Sequence, residues 1–257
     1  MSSETAVRVE DLTFTYAGNS TPSLREVNLI QRAGEMVGIM GASGAGKSTL
    51  AKVLNRIVPE LEGGDLRGVV MLNGKSVAHS QVRELAGEIG MVFQDFESQL
   101  FSTTVAHEVA FAMERVGMPP DQINLRLTAA LEAVGLRGFE DRDPTTLSGG
   151  QKQRLAIASV LALRPRVVVL DEPTTDLDPE GRAEVFTLIR RLREEGTSLI
   201  VIEHEAEELR QCDRVIILRE GAIIAEGAPA EVMPRIDLLE ESGINAPGLD
   251  RLMRALA

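Results

Sequence analysis

The spacing of apolar residues changes period along this chain, and the changes predict its elements. Val7 to Thr15 alternates apolar and polar positions, the period of two expected of a half-buried strand. Glu35 to Met40 predicts a buried strand, and Lys47 to Val58 a helix after it. Val69 to Leu72, followed by Asn73-Gly74, predicts a hairpin strand and its turn. Ile89 to Phe93 predicts another buried strand.

Residues 104–162 carry no strand signal. Thr104 to Val116 and Asp121 to Val134 have apolar residues at helical spacing, with a Gly-Met-Pro-Pro break between them. Ser148 is an N-cap type residue ahead of a third helix running through Leu163. From Arg166 the alternation resumes as strand, helix 179–194, strand 197–202, helix 205–210 and strand 214–218, then a turn at Glu220-Gly221. Residues 229–257 predict a tail of short helices. Strands alternating with helices imply an α/β sheet, and 104–162 reads as a helical insert within it. There is no internal repeat and no low-complexity linker.

Composition narrows the class. The chain has 257 residues, 44% apolar and 26% charged, which suits a globular protein with a large core. Apolar runs such as Val167 to Leu170 and Leu199 to Ile202 fall far short of the ~20 residues that span a bilayer. No signal-like apolar segment follows Met1, so a cytosolic location is expected. Cys212, the one cysteine, excludes an internal disulfide and a cysteine-cluster metal site, and reads as a passive thiol. The net charge of −12, without a basic run, argues against nucleic acid and against adhesion to anionic lipid.

Three segments carry chemistry. Gly41-Ala42-Ser43-Gly44-Ala45-Gly46-Lys47-Ser48-Thr49 matches G-x-x-x-x-G-K-[ST] between a predicted strand and a predicted helix, the context a phosphate-binding loop needs. Its glycines let backbone N–H groups converge on phosphate oxygens, and the helix N-terminus adds partial positive charge. Lys47 is placed to reach the β- and γ-phosphates and Ser48 to ligate Mg²⁺. Asp171 and Glu172 end a buried strand, at the sheet edge that faces ligands in open α/β folds. There Asp171 suits Mg²⁺ through water, and Glu172 suits the general base that polarises the attacking water. Ser148-Gly149-Gly150-Gln151 alone reads as a capped helix start. That helix belongs to the insert and lies too far from the core loop to touch the chain's own nucleotide.

Together, in this order, these segments resemble the ATP-binding-cassette (ABC) ATPases. The resemblance implies a P-loop NTPase (RecA-like) core with an antiparallel β sub-domain and an inserted α-helical signature sub-domain. It implies an ATPase domain over 1–228, a helical sub-domain at about 95–162 and a C-terminal helical extension at 229–257. ATP and Mg²⁺ are the implied nucleotide and ion. Ser148, Gly149, Gly150 and Gln151 would close over a nucleotide held by a second cassette, head to tail. Gln94 matches the Q-loop glutamine that senses Mg²⁺ and the attacking water. Asp178 falls in the D-loop at the dimer interface. His204 matches the switch histidine that contacts the γ-phosphate. Tyr16, the single tyrosine, stands where the family places an aromatic against adenine; otherwise it is a core or rim aromatic. Stacking there would tolerate GTP.

The stretch Phe93-Gln94-Asp95-Phe96-Glu97-Ser98-Gln99-Leu100-Phe101, with Thr104-Val105 and Glu108-Val109-Ala110-Phe111, resembles ATPases of energy-coupling factor transporters, which import vitamins and transition-metal ions. Glu203-His204-Glu205 and the Gly243…Pro247 spacing are similar to that group as well. Phe96 departs from it, standing where many relatives have proline. Residues Thr174 to Pro179 resemble relatives with two fused cassettes; one cassette is present here, so a second chain, like or unlike, is implied. The other implied partners are a transmembrane coupling subunit and a membrane substrate-binding subunit, which place the protein on the cytoplasmic face of the membrane. Asp95, Glu97 and Glu108 are the expected docking acids for an arginine-bearing helix of the coupling subunit. Two classes compete: a soluble assembly ATPase, such as that of iron–sulfur cluster machinery, and a chromosome-maintenance or repair ABC ATPase acting on DNA, which the acidic balance disfavours. In the tail, Leu249, Leu252, Met253 and Leu256 line one helical face, which either packs on the chain's own core or joins two cassettes.

Overall fold

The structure is a computed structural model that describes residues 4–248. Its strands are β1 (Thr5–Thr15), β2 (Leu24–Arg32), β3 (Met36–Met40), β4 (Asp65–Leu72), β5 (Lys75–Ser76), β6 (Ile89–Val92), β7 (Val167–Asp171), β8 (Ser198–Ile202), β9 (Arg214–Arg219) and β10 (Ala222–Gly227). The chain divides into two compact units. One gathers the residues up to Val82 and those from Ser198 onward; the other is Arg83–Thr197. This division is wider than the expected insert at 95–162, and the described part of the tail belongs to the first unit.

In the first unit, β2, β1, β4 and β5 form an antiparallel sheet in that order. Val7, Val9, Leu12 and Phe14 of β1 are buried, and the alternation shifts by one at a bulge between Val9 and Leu12. The expected hairpin joins β4 to β5, with Leu72 opposite Lys75 and Asn73 and Gly74 both at positive φ. Strands β10, β9, β3 and β8 follow one another in a second layer. There β3 is parallel to β8 and β9, and β10 is antiparallel to β9. All five residues of β3 and all five of β8 are buried, which is why both segments read as continuous apolar runs.

Several elements differ from expectation, each for a local reason. Strand β2 was not anticipated. Its buried positions are Leu24, Val27, Leu29 and Gln31, so a left-handed Glu26 (φ 48) breaks the period and a polar residue ends it. The Gln31 amide donates to Glu35 O and Leu199 O at 2.9 Å, which makes it a buried cross-tie. The helix expected over 47–58 stops at Leu54, because Arg56 takes a left-handed conformation (φ 60) and a separate turn follows at Ile57–Glu60. Strand β4 begins earlier than Val69 because its first half is polar and exposed. Strand β10 has no burial alternation to announce it. The helix expected at 205–210 is a 3₁₀ turn, Ala206–Gln211.

In the second unit β6 and β7 are parallel. The helices are Val105–Arg115, Pro120–Ala133, Gly149–Leu161 and Pro179–Glu194, close to the predicted spans. Among residues 104–162 there is no strand, as the periodicity indicated. Thr104 Oγ1 caps the first helix by accepting from His107 N at 3.2 Å, and proline occupies the first turn of the second and fourth. Val105, Val109, Met113, Leu131 and Leu155 form the core between them. The described tail contains helices Pro229–Val232 and Ile236–Glu241, and the apolar stripe Leu249 to Leu256 lies outside the described residues. Among the described residues no helix is long and apolar enough to cross a membrane.

Phe14 links the antiparallel sheet to the site below. It is fully buried, and its ring meets Tyr16 edge-on at 4.8 Å. Phe14→Ala should lower unfolding free energy by about 3–5 kcal/mol, the usual cost of deleting a buried aromatic ring. The check is the shift of the urea midpoint at unchanged slope.

Candidate nucleotide-binding and hydrolytic site

Strand β3 delivers the chain to loop 41–46, and helix Lys47–Leu54 leaves it. The helix has no side-chain cap at Gly46 (φ 104), so its first N–H groups are left to an incoming anion. Glycine is obligatory at both ends of the loop. A Cβ on Gly41 would lie 2.2 Å from Leu218 O, and one on Gly46 would lie 2.6 Å from Ser23 O. Lys47 is buried, and its ammonium folds back across the loop to donate to Gly41 O (2.8 Å) and Ala42 O (3.1 Å). Ser43 and Gly44 are exposed, and Ala45 is buried. The half-buried Tyr16 shares a hydrogen bond of 3.3 Å with the Thr49 hydroxyl, which sets its ring beside the start of this helix. A residue beyond the motif also touches the loop: a Cβ on Gly243 would lie 2.9 Å from Ala42 Cβ. His204 is exposed on the segment after β8.

The second unit carries the acids. Asp171 and Glu172, at the end of β7, are both buried. Glu172 is held at φ 51, a conformation that costs a non-glycine residue of order 1 kcal/mol or more and persists only when the surroundings enforce it. Its Oε2 accepts from Gln94 Nε2 at 2.8 Å and from Thr175 Oγ1 at 3.4 Å. The Gln94 amide nitrogen is thus committed to the carboxylate, which turns its oxygen to other work. Gln99, part of the Phe93 to Phe101 stretch but given no role there, ties the loop back to β6: its Oε1 accepts Phe93 N at 2.8 Å and its Nε2 donates to Met91 O at 3.4 Å. No spacing rule announces such a staple.

Ser148 opens helix Gly149–Leu161 through a reciprocal capping box. Its Oγ accepts Gln151 N at 3.3 Å while Gln151 Oε1 accepts Ser148 N at 3.1 Å. Just upstream, the Thr145 N–H and then its hydroxyl hold the Asp143 carboxyl below its ordinary range. Asp178 caps helix Pro179–Glu194 by accepting Gly181 N at 2.7 Å. The signature turn and residues Asp176 to Asp178 line one cavity of about 390 Å³.

The expected docking acids are used differently. Glu108 is buried, and its Oε2 accepts the N–H groups of Phe101 (3.0 Å) and Ser102 (2.8 Å). It fastens the preceding loop to the helix and is not an exposed docking acid; its first-turn position hid that use. Asp95 Oδ1 accepts Ser98 N at 3.2 Å, and Glu97 pairs with Lys152 of the signature helix at 2.7 Å. Asp95 and Glu97 stay exposed, and beside them the segment exposes two rings: Phe101 is 63% and Phe111 41% exposed, edge to face at 4.7 Å. Phe96 has φ −67, a value proline could also take, so proline at this position would fit the same φ.

Residues 24–175 match the ABC transporter family. The chain belongs to that family. It is 48% identical, over 94% of its length, to a putative ABC transporter ATP-binding protein of Caldanaerobacter subterraneus, of which it spans only 43%. It is 38% identical to the energy-coupling factor transporter ATP-binding protein EcfA1 of Levilactobacillus brevis, covering 98% of this chain and 89% of that one. Among solved structures it superposes on cbiO1 of Clostridium perfringens, part of the ABC transporter complex cbiONQ, with TM-score 0.82 and 33% identity. That match covers 98% of this chain and 99% of the other. The dimeric cassette MJ0796 bound to ADP and Pi matches with TM-score 0.76 and 29% identity over 87% of this chain and 98% of that one. The fold is that of a P-loop NTPase cassette.

ATP with Mg²⁺ is the ligand pair of this family, and the residues fit it. An uncapped helix start with a buried ammonium beside it suits polyphosphate. Each unit by itself holds hard oxygens of the kind Mg²⁺ takes: the Ser48 hydroxyl in the first, and the Asp171 carboxylate and the Gln94 side-chain oxygen in the second. Among the described residues no group of three His, Cys, Asp or Glu could hold a metal ion. Mg²⁺ needs no such cage, since it keeps waters and leans on one or two carboxylates plus substrate phosphates. Gly243→Val should weaken binding of a fluorescent ATP analogue to the monomer by roughly tenfold, about 1.4 kcal/mol, by pressing on Ala42. Equilibrium titration checks it; unaltered affinity would show that the tail contact does not shape the loop.

Proposed function

We propose that this cassette is the ATP-hydrolysing subunit of an energy-coupling factor importer. In this reading, a pair of cassettes couples ATP binding and hydrolysis to uptake of a vitamin or a transition-metal ion. Its partners are a second cassette, either another copy or a related chain, a transmembrane coupling subunit and a membrane substrate-binding subunit. The protein then works at the cytoplasmic face of the membrane. The dimeric state of MJ0796 and the membership of cbiO1 in a transporter complex support the assembly. The observation that carries the reading is the 2.8 Å bond from Gln94 to Glu172. It ties the proposed base to the residue just before segment 95–111, so a displacement of that segment by a docked partner pulls on the carboxylate.

The roles follow from local chemistry. The loop amides and Lys47 bind and orient the phosphates, and Tyr16 offers a ring face to the base. Ser48, Asp171 and Gln94 would hold Mg²⁺, which offsets phosphate charge when bound. Glu172 takes the proton of the attacking water, and His204 steadies the γ-phosphate. Ser148, Gly149, Gly150 and Gln151 serve the nucleotide of the partner cassette, with Asp178 at the same interface. Docking rests on the exposed Phe101 and Phe111 ahead of Asp95 and Glu97.

Glu172→Gln should keep ATP affinity and lose ~10²–10⁴ in turnover, because an amide accepts no proton. Phosphate release and size-exclusion with Mg-ATP check it; near-normal turnover would remove Glu172 as the base. Phe101→Asp should leave basal hydrolysis intact and abolish co-purification with the membrane subunit. Normal assembly and uptake in that variant would place docking elsewhere.

A further inference from the structure

The signature turn and the segment Asp176 to Asp178 lie far apart in sequence, yet their helices meet backbone to backbone. A Cβ on Gly150 would lie 3.2 Å from Gly181 Cα, and one on Gly181 would lie 3.5 Å from Gly150 Cα and 3.0 Å from Asp178 Oδ1. Leu177 is buried, its Cδ2 3.5 Å from where a Cβ on Gly149 would stand. One turn further along each helix, on the same faces, Arg154 pairs with Glu184. The Arg154 side chain is only 12% exposed. Apposed helix N-termini carry like partial charges, so this contact is not self-stabilising. Asp178, Glu180 and Glu184 supply the compensating negative charge, and the ion pair adds a direct clasp.

We infer that the signature turn and the loop 176–178 form one rigid block, and that Arg154 and Glu184 are the positioning residues that clasp it. The inference rests on the cassette reading for its consequence: both motifs enter the partner's nucleotide site as one body, so neither can engage without the other. The two glycines set the distance between the helices, and the ion pair sets their rotation. Neither charged residue needs to touch nucleotide. Their effect should therefore fall on turnover and leave ATP affinity nearly alone.

The test uses the full chain carrying Glu184→Gln, Arg154→Met, both together, or Arg154→Lys. Hydrogen exchange is followed in the peptides spanning 148–151 and 176–178. In Glu184→Gln both should exchange about fivefold faster, together, because one cooperative unit has loosened. Steady-state hydrolysis should show kcat reduced about fivefold with KM for ATP within about twofold. The double variant should be no worse than the worse single, and Arg154→Lys should recover most of kcat, since it keeps the charge. Loosening of one peptide alone, or additive losses in the double variant, would overturn the block. If the unmodified chain hydrolysed no ATP, the ATPase reading would fall, and exchange would still decide the block. Joint loosening would uphold it; separate or absent loosening would sink it.

Discussion

Binding phosphate by backbone, the role proposed for loop 41–46, demands that backbone atoms approach one another where side chains would normally intervene. The loop between β3 and its helix keeps its shape because its ends lie against carbonyls: Gly41 under Leu218 O and Gly46 under Ser23 O. Any Cβ at either place would collide, so loop geometry is set by β9 and by the residue that precedes β2. The tail joins this arrangement through Gly243 on Ala42. Lys47 completes it from within, its ammonium bridging two loop carbonyls. A loop made rigid from three sides meets its anion with little left to reorganise, the condition under which fixed dipoles act most strongly.

In the second unit the constraint is strain. Between β7 and helix Pro179–Glu194 the chain places two non-glycine residues in the left-handed region, Glu172 (φ 51) and Asp176 (φ 64). Such residues persist only where neighbours over-determine them. Here Gln94 and Thr175 hold the Glu172 carboxylate, and Asp178 closes the turn as the helix cap. The same few residues therefore fix the hydrolytic acid and aim the next helix. Asp178 therefore carries a structural duty whatever else it does.

Much of this was legible in sequence, for identifiable reasons. Long helices announce themselves by period, and those of the second unit lie within about two residues of the predicted spans, the usual scatter of helix ends. The chemistry-bearing loops were legible because glycine, lysine and paired acids at fixed spacing have few other uses. Strand β2 was hidden because its period breaks at Glu26 and its last buried residue is Gln31. Strand β10 was hidden because its residues are nearly uniformly half-exposed. Pairings such as Arg154–Glu184 and Lys152–Glu97 join residues distant in sequence, and no local pattern encodes them.

Segment 95–111 shows what carboxylates do locally in a segment proposed for docking. A carboxylate near helix starts and tight loops is drawn inward, because unpaired N–H groups there need an acceptor. Glu108 answers Phe101 N and Ser102 N, and Asp95 answers Ser98 N. Glu97 is already neutralised by Lys152. The loop these acids order carries Phe101 outward beside Phe111 of the following helix, while Phe96 is buried. Glu108 is thus withdrawn from the surface, while Asp95 and Glu97 remain exposed beside the two rings. Recognition on such a face comes chiefly from burial of two rings, roughly 1.5–3 kcal/mol for each phenylalanine fully covered. A docking arginine would have to displace Lys152 before it gained Glu97, so charge there acts as an exchange of partners and contributes less than the rings.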